Sequence, residues 1–321
     1  MRYWSFFLLF FACQCSPAFL QAQGPAPFLI VLGITQDGGY PQAGCKKSCC
    51  AQAWQKPSKQ RTVSCVAWVD PVHRKFWLFD ATPDMPAQIA FLDSHYQAEL
   101  AGIFITHAHM GHYSGLMHLG REALGAHKVP VFVLPRMHQF LTGQGPWSQL
   151  VALGNVELIQ LQAGVPLQVA DWFEVTPLIV PHRDEFSETA AFLIRGNHQS
   201  FAYLPDIDKW EKWDYPIEQL IRESNYCFLD GTFFDHRELP GRNMAEIPHP
   251  FIVESMARWE NLPKEEKKKI HFIHLNHTNP LLQLRHPRTK MVLDAGFRIA
   301  RQGAVFSDFT PTKKSLNPRS E

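Results

Sequence analysis

Net charge is what this chain has least of. Its 31 Lys and Arg stand against 30 Asp and Glu, giving +1 over 321 residues, and no long basic block lies in the globular part. That argues against a nucleic-acid surface and leaves a small molecule as the expected substrate. Internal repeats and low-complexity segments are absent, which excludes solenoids and extended linkers. No Ser or Cys has the setting of a catalytic nucleophile. Cys65 and Cys227 lie in apolar strand patterns and read as core. Long apolar runs are scarce too. The one over residues 3–12 follows Arg2 and is about half as long as a membrane helix needs. It reads as the apolar region of a signal peptide.

The expected organisation is therefore a signal peptide over 1–22, one domain over 23–310 and a polar, loose tail over 311–321. Phe11-Ala12-Cys13 resembles a loose lipobox, which would place a lipid anchor on Cys13; Leu20-Gln21-Ala22 would instead be cleaved before Gln23. For a bacterial source, either exit implies an exported protein, periplasmic or held at the membrane as a lipoprotein. Of seven cysteines, five remain after residue 22, and two of those are the adjacent Cys49 and Cys50. An odd count with an adjacent pair does not read as a disulfide framework. Metal ligation explains such a thiol cluster in an oxidising compartment.

The richest feature is Thr106-His107-Ala108-His109-Met110-Gly111-His112, placed directly after the apolar run 100–105. A strand ending in a histidine-rich loop, followed by a predicted helix over 113–124, aims imidazoles at one point. Neutral imidazole is the commonest metal ligand. An open loop, unlike a closed cage, suits a catalytic ion.

Further strands are expected over 28–34, 63–69, 75–79 and 128–134, then 156–160, 167–169, 173–179, 190–195, 200–204, 226–230 and 270–275. Helices are expected over 85–92, 207–213, 217–224 and 251–259. Residues 37–39, Asp-Gly-Gly, read as a turn. Two successive strand series with helices at their ends suggest two sheets packed face to face with helices outside. His182, Asp206 and His274 each fall at a strand end, where loops meet the sheet edge. Singly, each is a weak signal: a strand-end His is usually hydrogen-bonded structure, and an Asp before a helix is usually a cap.

The ordered series His107, His109, His112, His182, Asp206 and His274 resembles the metallo-β-lactamase fold superfamily over about residues 28–305. The resemblance implies an αββα sandwich of mixed α/β class, with a metal site along one sheet edge. Asp80 matches the early Asp that braces the histidine loop. A narrower likeness rests on residues 33–41, Cys45, Cys50, 80–84, 229–233 and His274-Leu275-Asn276-His277-Thr278-Asn279-Pro280. These look like the B protein of pyrroloquinoline quinone biosynthesis and, in the same neighbourhood, the cyclic phosphate phosphodiesterase of phosphonate breakdown. That likeness implies a structural zinc on Cys45, Cys50 and His277. Lys47 stands where the family has its middle cysteine, and Cys49 is the expected replacement.

The main departure is Gly111, where the superfamily usually places an Asp that serves the second metal. The expectation is a first metal on His107, His109 and His182, and a second, weakened one on His112, His274 and a shared Asp206. One or two active-site Zn2+ ions and one structural Zn2+ are implied, with iron or manganese as alternatives. A zinc-type ion lowers the pKa of bound water to about 7, so the expected activity is hydrolysis of an ester or phosphodiester. Asp206 would orient the water, His249 or His236 would protonate the leaving group, and Arg183 and Arg237 would bind an anionic substrate. The alternatives are an oxidative or carrier role in cofactor assembly, and a degenerate metal-binding protein without turnover.

Overall fold

The computed structural model describes residues 26–308. The signal peptide, the Cys13 anchor and the tail over 311–321 lie outside that span. Fourteen strands form two sheets of seven. The first is built from β1 (Phe28–Gly33), β2 (Cys65–Asp70), β3 (Lys75–Phe79), β4 (Glu99–Phe104), β5 (Val129–Val133) and β6 (Val156–Gln160). The second contains β7 (Leu167–Ala170), β8 (Phe173–Val180), β9 (Thr189–Arg195), β10 (Ser200–Leu204), β11 (Tyr226–Asp230), β12 (Ile270–Ile273) and β13 (Arg298–Ile299). The last strand, β14 (Val305–Ser307), returns to pair antiparallel with β1. It therefore closes the edge of the first sheet with the last described stretch of chain.

Alternation within the strands builds the layers. Leu29 and Val31 face a central layer with Trp68, Phe79 and Phe104 opposite Phe173, Phe192, Phe201 and Phe228, while Ile30 and Leu32 face the outer helices. Strands covered on both faces read as continuous apolar runs, which is why β1 and β2 are buried at every position. Cys65 and Cys227 are fully buried, one under each outer helical layer, as their apolar surroundings suggested.

The predicted helix over 113–124 is not formed. A four-residue helix, Met110–Tyr113, passes into a 3-10 segment, Ser114–Leu119. The cause is a close backbone approach: Gly115 N donates to Ala81 O, Ala81 N donates to His112 O, and a Cβ on Gly115 would lie 2.2 Å from Thr82 O. Only glycine permits that contact. The histidine loop is thereby stapled to the segment carrying Asp80. Over 207–213 only a 3-10 turn, Trp210–Lys212, is present. Helices the sequence reading passed over occupy Ser48–Gln55, Pro135–Gly143, Trp147–Ala152, Lys264–Lys269 and Pro287–Asp294.

Candidate metal centre

The loops after β4, β8, β10 and β12 converge at one edge of the sandwich. They bring His107, His109, His182 and Asp206 together, with one donor atom of each within 4.8 Å of the others. A second group of the same compactness joins Asp37, His112, Asp206 and His274. Asp206 belongs to both. Its Oδ2 lies 3.4 Å from His107 Nε2, 3.2 Å from His112 Nε2 and 3.4 Å from His274 Nε2, and its Oδ1 lies 3.7 Å from His182 Nε2.

Each imidazole is oriented by a partner on its other nitrogen. His112 Nδ1 donates to Asp80 Oδ2 (2.7 Å), His182 Nδ1 to Asp208 Oδ1 (3.3 Å) and His109 Nε2 to Glu185 Oε2 (3.0 Å). His107 and His274 use the same relay. Thr106 Oγ1 donates to Asp80 Oδ1 and accepts from His107 Nδ1; Thr232 Oγ1 donates to Asp230 Oδ1 and accepts from His274 Nδ1. Carboxylate and hydroxyl partners of this kind fix the tautomer and leave a lone pair facing inward. Asp80 and His274 both have positive φ, +75° and +62°. Such backbone persists only where its surroundings over-determine it.

The inward atoms pass a direct test of fit. His112 Nε2, His182 Nε2, His274 Nε2, Asp37 Oδ1 and Asp206 Oδ1 are all buried without a hydrogen-bond partner. Each such orphan costs about 1–3 kcal/mol, and native structures leave few of them. Five around two adjacent points fit cations. Electrostatics agree. Burial alone would raise the Asp206 carboxyl, but His274 and His182 first, then His112 and His249, hold it well below the usual carboxylate range. Burial opposes a proton on His112 too; Asp80, Asp206 and Asp37 outweigh it and raise His112 well above its ordinary value. A divalent ion would take that proton's place.

Asp37 is the residue that the sequence reading missed. From sequence, residues 37–39 read as a turn and Gly111 as a gap in the ligand set. A Cβ built on Gly111 would lie 2.2 Å from Asp37 Oδ1 and 2.8 Å from Asp37 Cγ. Asp37 Oδ1 stands 3.2 Å from His112 Nε2 and 3.6 Å from His274 Nε2. Backbone pairing puts it there. Leu275 N donates to Ile34 O and Gln36 N donates to Leu275 O, so the segments leaving β1 and β12 run side by side.

The other expected residues are distributed as follows. Cys45, Cys49, Cys50 and His277 form a separate group within 4.8 Å, with Cys50 Sγ 3.3 Å and Cys49 Sγ 3.7 Å from His277 Nδ1. The described cysteines are free thiols; burial pushes Cys50 up to about 12, a proton that bound zinc would displace. His249 is buried beside the site, its Nδ1 2.8 Å from Asp230 Oδ2 and 3.2 Å from Asp206 Oδ1. Burial would lower it, but Asp230 dominates and raises it to about 9. His236 is exposed and belongs to none of these groups. Arg183 is exposed and close enough to act electrostatically on His109 and His249, whereas Arg237 is spent on Asp235, 2.7 Å away. A cleft of about 450 Å³ opens at Asp37, and its walls include Tyr40, Trp54 and Arg61.

Residues 76–274 match the model of the beta-lactamase superfamily domain. The chain belongs to the metallo-β-lactamase superfamily. Coenzyme PQQ synthesis protein B of Klebsiella pneumoniae is 27% identical over 318 residues, spanning 87% of this chain and 98% of that one. The fold is shared with Zn2+-bound PqqB from Methylobacterium extorquens (TM-score 0.73, 20% identity, 87% of this chain and 99% of that one). It is also shared with a diphosphatase from the PhnP family (TM-score 0.62, 22% identity, 87% and 96%). Two sheets flanked by helices and histidine–aspartate groups that fit metal are thus features of this superfamily member.

Proposed function

We propose that the protein is a metal-dependent hydrolase of ester or phosphodiester bonds. The observation that carries this reading is the pair of four-donor groups sharing Asp206. Ions held at such adjacent positions supply an activated water at neutral pH and neutralise charge on the attacked and leaving oxygens. His107, His109 and His182 with Asp206 would hold one ion; His112 and His274 with Asp206 would hold the other. The protein's own contribution is orientation. Asp208, Glu185, Thr106, Asp80 and Thr232 fix five imidazoles before substrate arrives, so little reorganisation remains for the reaction.

Proton delivery falls to His249. Asp230 holds its ring beside Asp206, and that carboxylate partner favours the protonated imidazole. A charged imidazole at the edge of the site can donate to a departing alkoxide. Arg61 in the wall of the cleft at Asp37, and Arg183 near His109 and His249, suit an anionic ester. Met110 and Phe186, next in sequence to His109 and Glu185, are both exposed and offer apolar contact to a leaving group.

Hydrolysis of an aryl phosphodiester by the zinc-loaded protein, lost in His109→Ala, is the expected result. Turnover equal in wild type and His109→Ala would refute the reading. A second reading draws on the PQQ-synthesis relatives: an oxidative or carrier role using iron, which the same His and Asp donors accept. Iron as the native metal, with oxygen consumption and no hydrolysis, would establish it instead.

A further inference from the structure

Two observations about the second donor group have one explanation. The first is geometric. A Cβ on Gly111 would collide with Oδ1 (2.2 Å), Cα (2.7 Å) and Cγ (2.8 Å) of Asp37. Any side chain at 111 would therefore point into the volume that the Asp37 carboxylate fills. The second concerns unmet bonding. Asp37 Oδ1, His112 Nε2 and His274 Nε2 are buried and unpartnered, although they lie only 3.2–3.6 Å apart. Their separations are short, yet none of these contacts is a hydrogen bond. His112 and His274 have wholly buried side chains.

We propose that Asp37 is a ligand of the second metal position. The loop after β1 supplies its carboxylate, where the histidine loop offers only a glycine. Gly111 is then no loss: it is the residue that lets a carboxylate from another segment reach the ion. Residues 37 and 111 are alternative sources of one donor, and the backbone admits one at a time. The donor's origin also changes what the second position depends on. Asp37 and Cys45 belong to one connection, between β1 and the helix Ser48–Gln55, and His274 and His277 to another. Two of the second position's four donors therefore lie on segments that the cysteine group ties together. No donor particular to the first position does.

The test counts metal and does not depend on turnover, so it stands apart from the hydrolase reading. Wild type, Asp37→Asn and Gly111→Ala are loaded with zinc, dialysed and assayed for zinc content and for affinity by chelator competition. Asp37→Asn keeps the side-chain shape; Gly111→Ala leaves Asp37 in the sequence but drives its carboxylate away. Each variant is expected to hold one zinc fewer than wild type, with the other zincs and the fold retained. Affinity at the second position should fall beyond the roughly 10–100-fold that loss of an outer partner costs. A variant that does not fold leaves the decision to the other. Wild-type zinc content and affinity in a folded Asp37→Asn, or in a folded Gly111→Ala, would overturn the proposal. If zinc is lost as expected while wild type hydrolyses nothing, the ligand assignment stands and the hydrolase reading falls.

Discussion

The two donor groups that meet at Asp206 are assembled in different ways. The first takes two histidines from a single loop and one from the end of β8, all standing where a strand runs out. The second gathers His112 from the helical turn after that loop, His274 at a strained φ after β12, and Asp37 from the far end of the first sheet. Both groups span the two sheets, the first joining His107 and His109 after β4 to His182 and Asp206 after β8 and β10. The second needs in addition that the segments leaving β1 and β12, in different sheets, run side by side at the Thr35–Leu275 bridge. The two positions should therefore differ in robustness, the second depending on one more long-range pairing, beside the cysteine group, than the first.

The contrast can be broken most severely at the cysteine group. If the group holds a structural ion, removing a thiol there, as in Cys50→Ser, should eject it and destabilise the fold by several kcal/mol, since a structural metal's binding energy is folding energy. Among molecules that remain folded, affinity should fall at the second active-site position and much less at the first, measurable by stepwise chelation. Equal weakening of both would remove the distinction.

His249→Gln probes chemistry without touching a donor of either four-residue group. Loss of a general acid costs about 10²–10⁴ in rate. The expected signature is a large fall in kcat on an alkyl phosphodiester and a small one on a nitrophenyl ester, whose leaving group needs no proton. The same fall on both substrates would make His249 a positioning residue for Asp206.

The mildest change concerns Glu238, which ties the 230–250 segment to the loop carrying both His274 and His277. Phe234 N and Thr278 Oγ1 donate to it at 2.6 Å, and burial raises it to about 7. A carboxyl raised on folding binds its proton more tightly in the folded state than in the unfolded one. Stability from this group is thus greatest below its ordinary pKa of about 4.5 and declines as pH rises to 7. Glu238→Gln should flatten that decline by on the order of 2 kcal/mol, seen in urea titrations at pH 5 and pH 8. An unchanged pH dependence would show that Glu238 contributes none of it.

His107 and His109 were legible from sequence because their spacing is local: His-x-His after an apolar run needs no knowledge of the fold. His182, Asp206 and His274 were legible from their order at strand ends, and Cys49 from the displacement of a cysteine past Lys47. Asp37 was not. Gln36-Asp37-Gly38-Gly39 has every mark of a plain turn, and only the pairing of β1 with the segment after β12 gives its carboxylate a purpose. Glu185 and Asp208 were hidden for a similar reason, since partners of a ligand carry no spacing rule of their own. The helix expected over 113–124 failed because periodicity does not register a backbone-to-backbone contact, here the one that Gly115 allows.

Anomalous diffraction at the zinc edge, from crystals of the wild-type protein grown with zinc, tests the central claim most directly. Three peaks per chain are expected: one among Cys45, Cys49, Cys50 and His277, one among His107, His109, His182 and Asp206, and one bonded to Asp37, His112, Asp206 and His274. A cysteine peak with a single active-site peak, and Asp37 turned away from His112, would contradict it.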